Sequence, residues 1–161
     1  MRVFLDTEFT SFTDPQLISC GLVAENGAEF YAEITDCWQI EQCSDFVLDV
    51  VLPRLGHSPD STMNRYEAGM KLYSWLSTLD NNITLISDAK VDIQLVVKLM
   101  RSVPNCGLTL DPQLLIWPGA AMARHCAILL AKAHSDDTRH HALVDARVLR
   151  ETVLQTEVDF R

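Results

Sequence analysis

Asp6-Thr7-Glu8 lies near one end of the chain and His140-His141-Ala142-Leu143-Val144-Asp145-Ala146 near the other. Three carboxylates and an imidazole are a set that can hold two divalent cations and deprotonate a water, the chemistry of phosphodiester hydrolysis. Asp6 and Glu8 are two apart, so on an extended segment both side chains face one side. Paired carboxylates at a strand end are natural ligands for a hard cation. Asp145 sits in an otherwise apolar helical run with Val144, Val148 and Leu149. Burying a lone carboxylate costs on the order of several kcal/mol unless it is paired or metal-bound, so this acid needs a partner. The alternatives are an exposed acid on the solvated face, or a helical ion pair with Arg147 or near Arg150.

His140 precedes Asp145 by five residues. On a continuous helix that spacing separates two side chains by about 140°. They converge only if His140 lies in the loop before the helix, and the polar stretch Asp136-Asp137-Thr138-Arg139 favours a helix start near His141 or Ala142. A loop histidine near its operating pKa suits a general base acting on a metal-held water. His141 is expected to be a surface histidine. A zinc site built from His134, Asp136, His140 and His141 is disfavoured by poor spacing and by the lack of a nearby cysteine ligand.

The intervening chain must fold these strings together. Val3–Leu5 is an apolar run ending at Asp6, as in a buried strand; Leu17–Ala24 and Ala28–Ile34 are two more. Glu25-Asn26-Gly27 between them signals a hairpin, because Asn-Gly accepts the positive φ angles of a primed turn. Phe46, Val47, Val50 and Val51 share a helical face ended or bent by Pro53. Gly56–Asp60 reads as a loop. Met63, Tyr66, Met70, Tyr73 and Leu76 then repeat at steps of three and four, a core-packing pattern.

Ile83–Ile86 is a fourth strand that runs into Ser87-Asp88-Ala89-Lys90-Val91-Asp92, followed by a helix with Ile93, Val96, Val97 and Met100 on one face. A short strand at Leu108–Leu110, a loop around Trp117-Pro118-Gly119 and helices near 120–133 and 142–154 complete the chain. The order β-β-β-α-α-β-α-(β)-α-α predicts an α/β fold, a mixed sheet flanked by helices. Ligands of such sheets gather at the carboxyl ends of central strands. Asp6 lies at that end of strand 1, and Asp88 and Asp92 lie just beyond strand 4.

At 161 residues with 48% hydrophobic content the chain suits one domain, 1–161, with a single well-buried core. No apolar run approaches the roughly 20 residues that span a bilayer, and with an acid already at position 6 no secretory signal is expected at the start. Five scattered cysteines without a C-x-x-C fit small buried hydrophobes in a reducing cytoplasm. The net charge of −9 argues against a grip on long duplex DNA, which calls for a basic surface. An acidic nucleic-acid enzyme would take its local positive charge from divalent cations and touch few phosphates at once.

In this order and spacing, Asp6-Thr7-Glu8, an aspartate after strand 4 and His140-x-Ala142-x-x-Asp145-Ala146 resemble the three exonuclease motifs of the DEDDh superfamily. Its members are 3′–5′ exonucleases on a ribonuclease H-like fold. Asp-Thr-Glu-Phe, the Leu17-Ile18-Ser19-Cys20-Gly21 strand and the Asn-Gly hairpin are similar to a small bacterial and phage branch, the RNase AS-like exoribonucleases. The resemblance implies a ribonuclease H-like mixed central sheet, with three antiparallel strands and then parallel ones. It implies two Mg²⁺ or Mn²⁺ ions held by Asp6, Glu8 and Asp145, and His140 as general base. The substrate would be a single-stranded RNA 3′ end or short oligonucleotide, the product a 5′-nucleoside monophosphate, and the enzyme a homodimer. A DNA exonuclease or oligoribonuclease-like activity, or an inactive binding module of the same fold, are the alternatives.

The second motif departs from the family pattern of an asparagine four residues before the catalytic aspartate, followed by a Phe-Asp pair. Spacing favours Asp92 as the fourth carboxylate, with Asp88 in the asparagine's place, and Asp88 is the alternative. Phe9 replaces the small polar residue common after the glutamate. Phe9 and Phe12 are candidates for stacking a terminal base, with Trp38 and Trp117 further candidates. Thr10 matches a sugar-contacting position of the family, and Arg139 could meet a phosphate.

Overall fold

The computed structural model describes residues 1–104, 107–115, 128 and 140–156. The expected helix over 120–133 and the candidates Trp117, Arg139, Cys106, Cys126 and His134 lie outside them. The architecture is α/β: a six-stranded mixed sheet of order β4-β3-β2-β1-β5-β6 flanked by helices. The strands are β1 (Arg2–Phe9), β2 (Leu17–Ala24), β3 (Glu29–Ile34), β4 (Thr62–Met63), β5 (Asn82–Ser87) and β6 (Thr109–Leu114). β1, β2 and β3 pair antiparallel, and β1, β5 and β6 pair parallel, as expected. The two-residue β4, parallel to β3, was not foreseen.

The helices divide between the two faces of the sheet. α1 (Arg65–Leu79) and α2 (Lys90–Met100) cover Val3 and Leu5 of β1 together with Leu22 and Leu85. α3 (Ala142–Thr156) covers the opposite face, where Phe4 and Ile86 meet Leu149 and Val153. With a helical layer on each side, β1 is apolar without alternation, as a doubly covered strand should be. Asp6 and Glu8 share the α3 face with Phe4, whereas Thr7 faces α2.

Three local expectations need correction. The Asn-Gly hairpin is not a two-residue primed turn. The Ala24 carbonyl accepts from Gly27 N at 2.9 Å and Ala24 N donates to Ala28 O at 2.8 Å, and only Gly27 has positive φ (91°). This is a three-residue loop with glycine at the left-handed position. Asn26 instead uses Oδ1 to accept from Ala28 N at 3.0 Å. Val47–Val51 forms a π-turn running into a 3-10 turn, Leu52–Arg54, because Pro53 has no N–H to continue an α-helical ladder.

In α1 the buried face is Ala68, Gly69, Leu72 and Leu76, while Tyr66 and Met70 are exposed and Met63 belongs to β4. Small residues set this helix's contact face: a Cβ on Gly69 would come within 3.2 Å of the Leu99 carbonyl. The strand expected at Leu108–Leu110 runs on to Leu114 through Pro112, which an outer strand tolerates. Among the described residues no helix is long and apolar enough to cross a membrane. Cys20 is buried, with its thiol pushed by burial up to about 12; Cys37 and Cys43 are only half-buried.

Candidate active site

The carboxyl end of β1 opens into a cavity of about 340 Å³. β1 supplies Asp6, Thr7, Glu8 and Phe9, the following loop supplies Phe12, and α2 supplies Asp92. His140 and Asp145 enter from the start of α3, and Phe46 from the segment before the π-turn. Residues from both ends of the sequence therefore meet in one recess.

The tightest group is Glu8, His140 and Asp145, whose ligand atoms lie within 4.8 Å of one another. Asp6 lines the same cavity but is not in that trio, so the expected ligand set of Asp6, Glu8 and Asp145 differs from the closest cluster by one residue. His140 is off the helix, with φ of 61°, the left-handed region that costs a non-glycine residue energy. That backbone is anchored by its own partner across the turn: His140 N donates to Asp145 Oδ2 at 3.1 Å. His141 starts the helix, its carbonyl accepting from Val144 N and Asp145 N. Its ring is half-buried and stacks on Tyr31 at 4.5 Å, so it is not the surface residue expected.

Asp92 is 2% exposed, lines the cavity and has both oxygens engaged. Thr7 Oγ1 donates to its Oδ1 at 2.7 Å and Ser87 Oγ to its Oδ2 at 2.9 Å. Asp88 is exposed and does not line the cavity. Of the two alternatives, then, Asp92 is the one brought to Asp6 and Glu8.

Crowded acids dominate the electrostatics. Asp6 is raised well above the usual carboxylate range by burial and by the charges of Asp92, Asp145, Glu8 and Asp88. Burial, with Asp145 and Asp92, lifts Glu8 to about 8, against a lowering pull from Arg54. Burial raises Asp92 to about 6, held there by the lowering hydrogen bonds from Thr7 and Ser87. Cations joining such a cluster would offset the burial and mutual repulsion that raise Asp6, Glu8 and Asp92. The donors are carboxylate oxygens with one imidazole, which fits Mg²⁺ or Mn²⁺.

One wall is aromatic. Phe12 is 87% exposed and meets Phe9 edge-on at 5.1 Å. Phe46, 49% exposed, meets the His140 ring edge-on at 4.9 Å. Thr10 does not line the cavity: it is fully buried, and its hydroxyl accepts from Gln16 N at 3.1 Å, closing the loop that carries Phe12. Trp38 is spent on packing against Ile18, Val47 and Val51, with Nε1 donating to Ile34 O at 2.7 Å.

No protein-family model and no curated protein matches the chain.

Thr7, Ser87, Phe46 and Gly21 were not singled out from the sequence. Thr7 lies between two acids that drew the attention, and its bond spans 85 residues. The Ser87 signal was readable: a serine ending a buried strand, five residues before an acid. Gly21 pairs with Asp6 across the β1–β2 ladder and faces the start of α3.

Proposed function

We propose that the chain is a divalent-metal-dependent 3′–5′ exoribonuclease of the DEDDh kind, on a ribonuclease H-like fold, releasing 5′-nucleoside monophosphates from single-stranded RNA ends. The observation that carries this reading is the convergence of Asp6 and Glu8, Asp92, and His140 with Asp145 on one cavity beside exposed phenylalanines.

Asp6, Glu8 and Asp145 would hold two Mg²⁺ or Mn²⁺ ions, with Asp92 at the same cavity. Bound ions would lower the pKa of an attacking water and stabilise the departing 3′ oxygen. His140 takes the water's proton, its ring lying beside Glu8 and Asp145. The water oxygen bonds to phosphorus, the P–O3′ bond breaks, and the phosphate leaves on the 5′ oxygen of the released nucleotide. Thr7 and Ser87 fix Asp92 in its ionised form by donating to both oxygens. Phe9, Phe12 and Phe46 offer ring surfaces for the terminal base. A recess of this size, closed by the sheet behind it, suits a strand terminus better than the middle of a duplex. A homodimer belongs to the same proposal and is checked by sedimentation.

Incubating 5′-labelled single-stranded RNA and DNA with Mg²⁺ or Mn²⁺ tests the proposal. Stepwise shortening of RNA, faster than of DNA and absent in Asp6→Ala, is the expected result. If neither polymer is shortened, or Asp6→Ala cuts as well as the parent, the proposal fails.

A further inference from the structure

The chain is acidic overall, yet one helix face is not. On α2, Lys90, Gln94, Lys98 and the following Arg101 are all exposed. At 100° per residue these four positions fall within one stripe of roughly 80°. The stripe carries three cations and no acid, because the single acid of α2, Asp92, points the other way and is buried. Among the described residues no carboxylate makes a salt bridge with Lys90, Lys98 or Arg101. Other surface cations are committed: Arg2 to Glu25, Lys71 to Glu67 and Arg147 to Glu29.

The stripe borders the cavity at one end, since Ala89 and Val91 on either side of Lys90 line it. α2 contributes Val91 and Asp92 to the cavity and, further along, Leu95, Lys98 and Leu99 to a second, narrow recess. The Thr10–Gln16 loop does the same, with Phe12 in the cavity and Gln16 in the recess. Arg65 completes the recess, its Nη2 donating to the Lys98 carbonyl at 3.4 Å. The neighbouring Asp36 carboxylate accepts from Arg65 N at 2.7 Å. From Asp92 to Lys98 is about 9 Å of helix rise. That equals two or three stacked nucleotides, at roughly 3.4 Å per strand charge.

We propose that the Lys90–Lys98–Arg101 face of α2, with Arg65 beside it, is a phosphate track that carries single-stranded nucleic acid away from the cavity. The inference rests on the nuclease reading for its direction, since the 3′ end would occupy the cavity and the strand would leave along α2. The track resolves the conflict between a net charge of −9 and a polyanionic substrate. The strand meets attraction along one narrow path and repulsion elsewhere, so only a few phosphates are held.

The test is anisotropy of labelled RNA in an Asp6→Asn background, so that the RNA stays whole. An 8-mer is compared with a dinucleotide, and the Lys90→Gln/Lys98→Gln/Arg101→Gln triple variant with Lys71→Gln as control. The 8-mer should bind about tenfold tighter than the dinucleotide in the background protein and in the control. The triple variant should lose that preference. With about 0.7 ions released per phosphate contact, three contacts steepen the salt dependence by about two logarithmic units per decade. Raising salt fourfold should therefore cost the background protein about twentyfold more 8-mer affinity than the triple variant. An unchanged length preference and salt slope in the triple variant, or no length preference in the background protein, overturns the track. The nuclease reading is judged separately by the shortening assay, since binding here requires no cleavage.

Discussion

Gly21 and Leu143 lie so close that a Cβ built on the glycine would fall 2.3 Å from the Leu143 Cα. The start of α3 therefore rests directly on the backbone of β2, with Ala142 and Ala146 fully buried in the same contact. Because Gly21 pairs with Asp6, this contact sets the height at which His140 and Asp145 meet Glu8.

Replacing Gly21 with alanine should be severe for so small a change. The clash is with helix backbone, which no rotamer change relieves, so overpacking should cost about 2–3 kcal/mol. Denaturant unfolding should show a lower midpoint. Calorimetry should show weaker Mn²⁺ binding in the fraction that folds, since α3 must lift off the sheet.

Without metal, stability should fall as pH rises. Glu8 and Asp92 titrate higher in the fold than in the unfolded chain, at about 8 and about 6 against 4.5 and 3.8. A raised acid favours the fold while protonated, and that contribution is lost as pH climbs through the folded value. The thermal midpoint in chelator should decline between pH 5 and pH 8, and Mn²⁺ should restore it at the alkaline end. A flat profile in chelator would mean the acids do not repel one another as described.

Both oxygens of Asp92 depend on hydroxyls from other elements. A Thr7→Val/Ser87→Ala variant removes two bonds that favour the ionised form, each worth about 1.5–3 kcal/mol to a charged acceptor. Asp92 should then titrate above its present value of about 6. The acidic limb of the pH–rate profile should move up, with kcat falling more than KM rises.

Phe12 should matter for substrate and little for stability. It is exposed, so Phe12→Ala should change the unfolding free energy by less than about 0.5 kcal/mol. Loss of one stacking platform should raise KM about 5- to 150-fold, from about 1–3 kcal/mol per stacked base. Steady-state kinetics on short RNA beside an unfolding curve checks both halves.

The sheet was legible because its signals are local: an apolar run ending in Asp6, and an Asn-Gly between two apolar stretches. The turn type was not, since Asn-Gly serves several hairpins and the choice rests on register between β2 and β3. The displacement of His140 from the helix was legible in its five-residue spacing to Asp145 together with the polar stretch that precedes it. The Thr7–Asp92 bond and the contact at Gly21 are long-range, fixed by how α2 and α3 seat on opposite faces of β1 and β2. The sequence pattern puts Phe46 on one helical face with Val47, Val50 and Val51. The π-turn rotates those two inward and leaves Phe46 at the cavity, and no single residue announces that turn before Pro53.

The central claim is that the carboxylates around His140 form a metal-dependent hydrolytic site. Chromatography of the products from single-stranded RNA, for the parent chain and for Asp145→Asn with Mn²⁺, tests it most directly. The parent should release 5′-nucleoside monophosphates one at a time from the 3′ end, and Asp145→Asn should be slower by at least about a thousandfold, the scale of losing a principal electrostatic contribution. Release of nucleotides at equal rates by both, or of none by the parent, would contradict it.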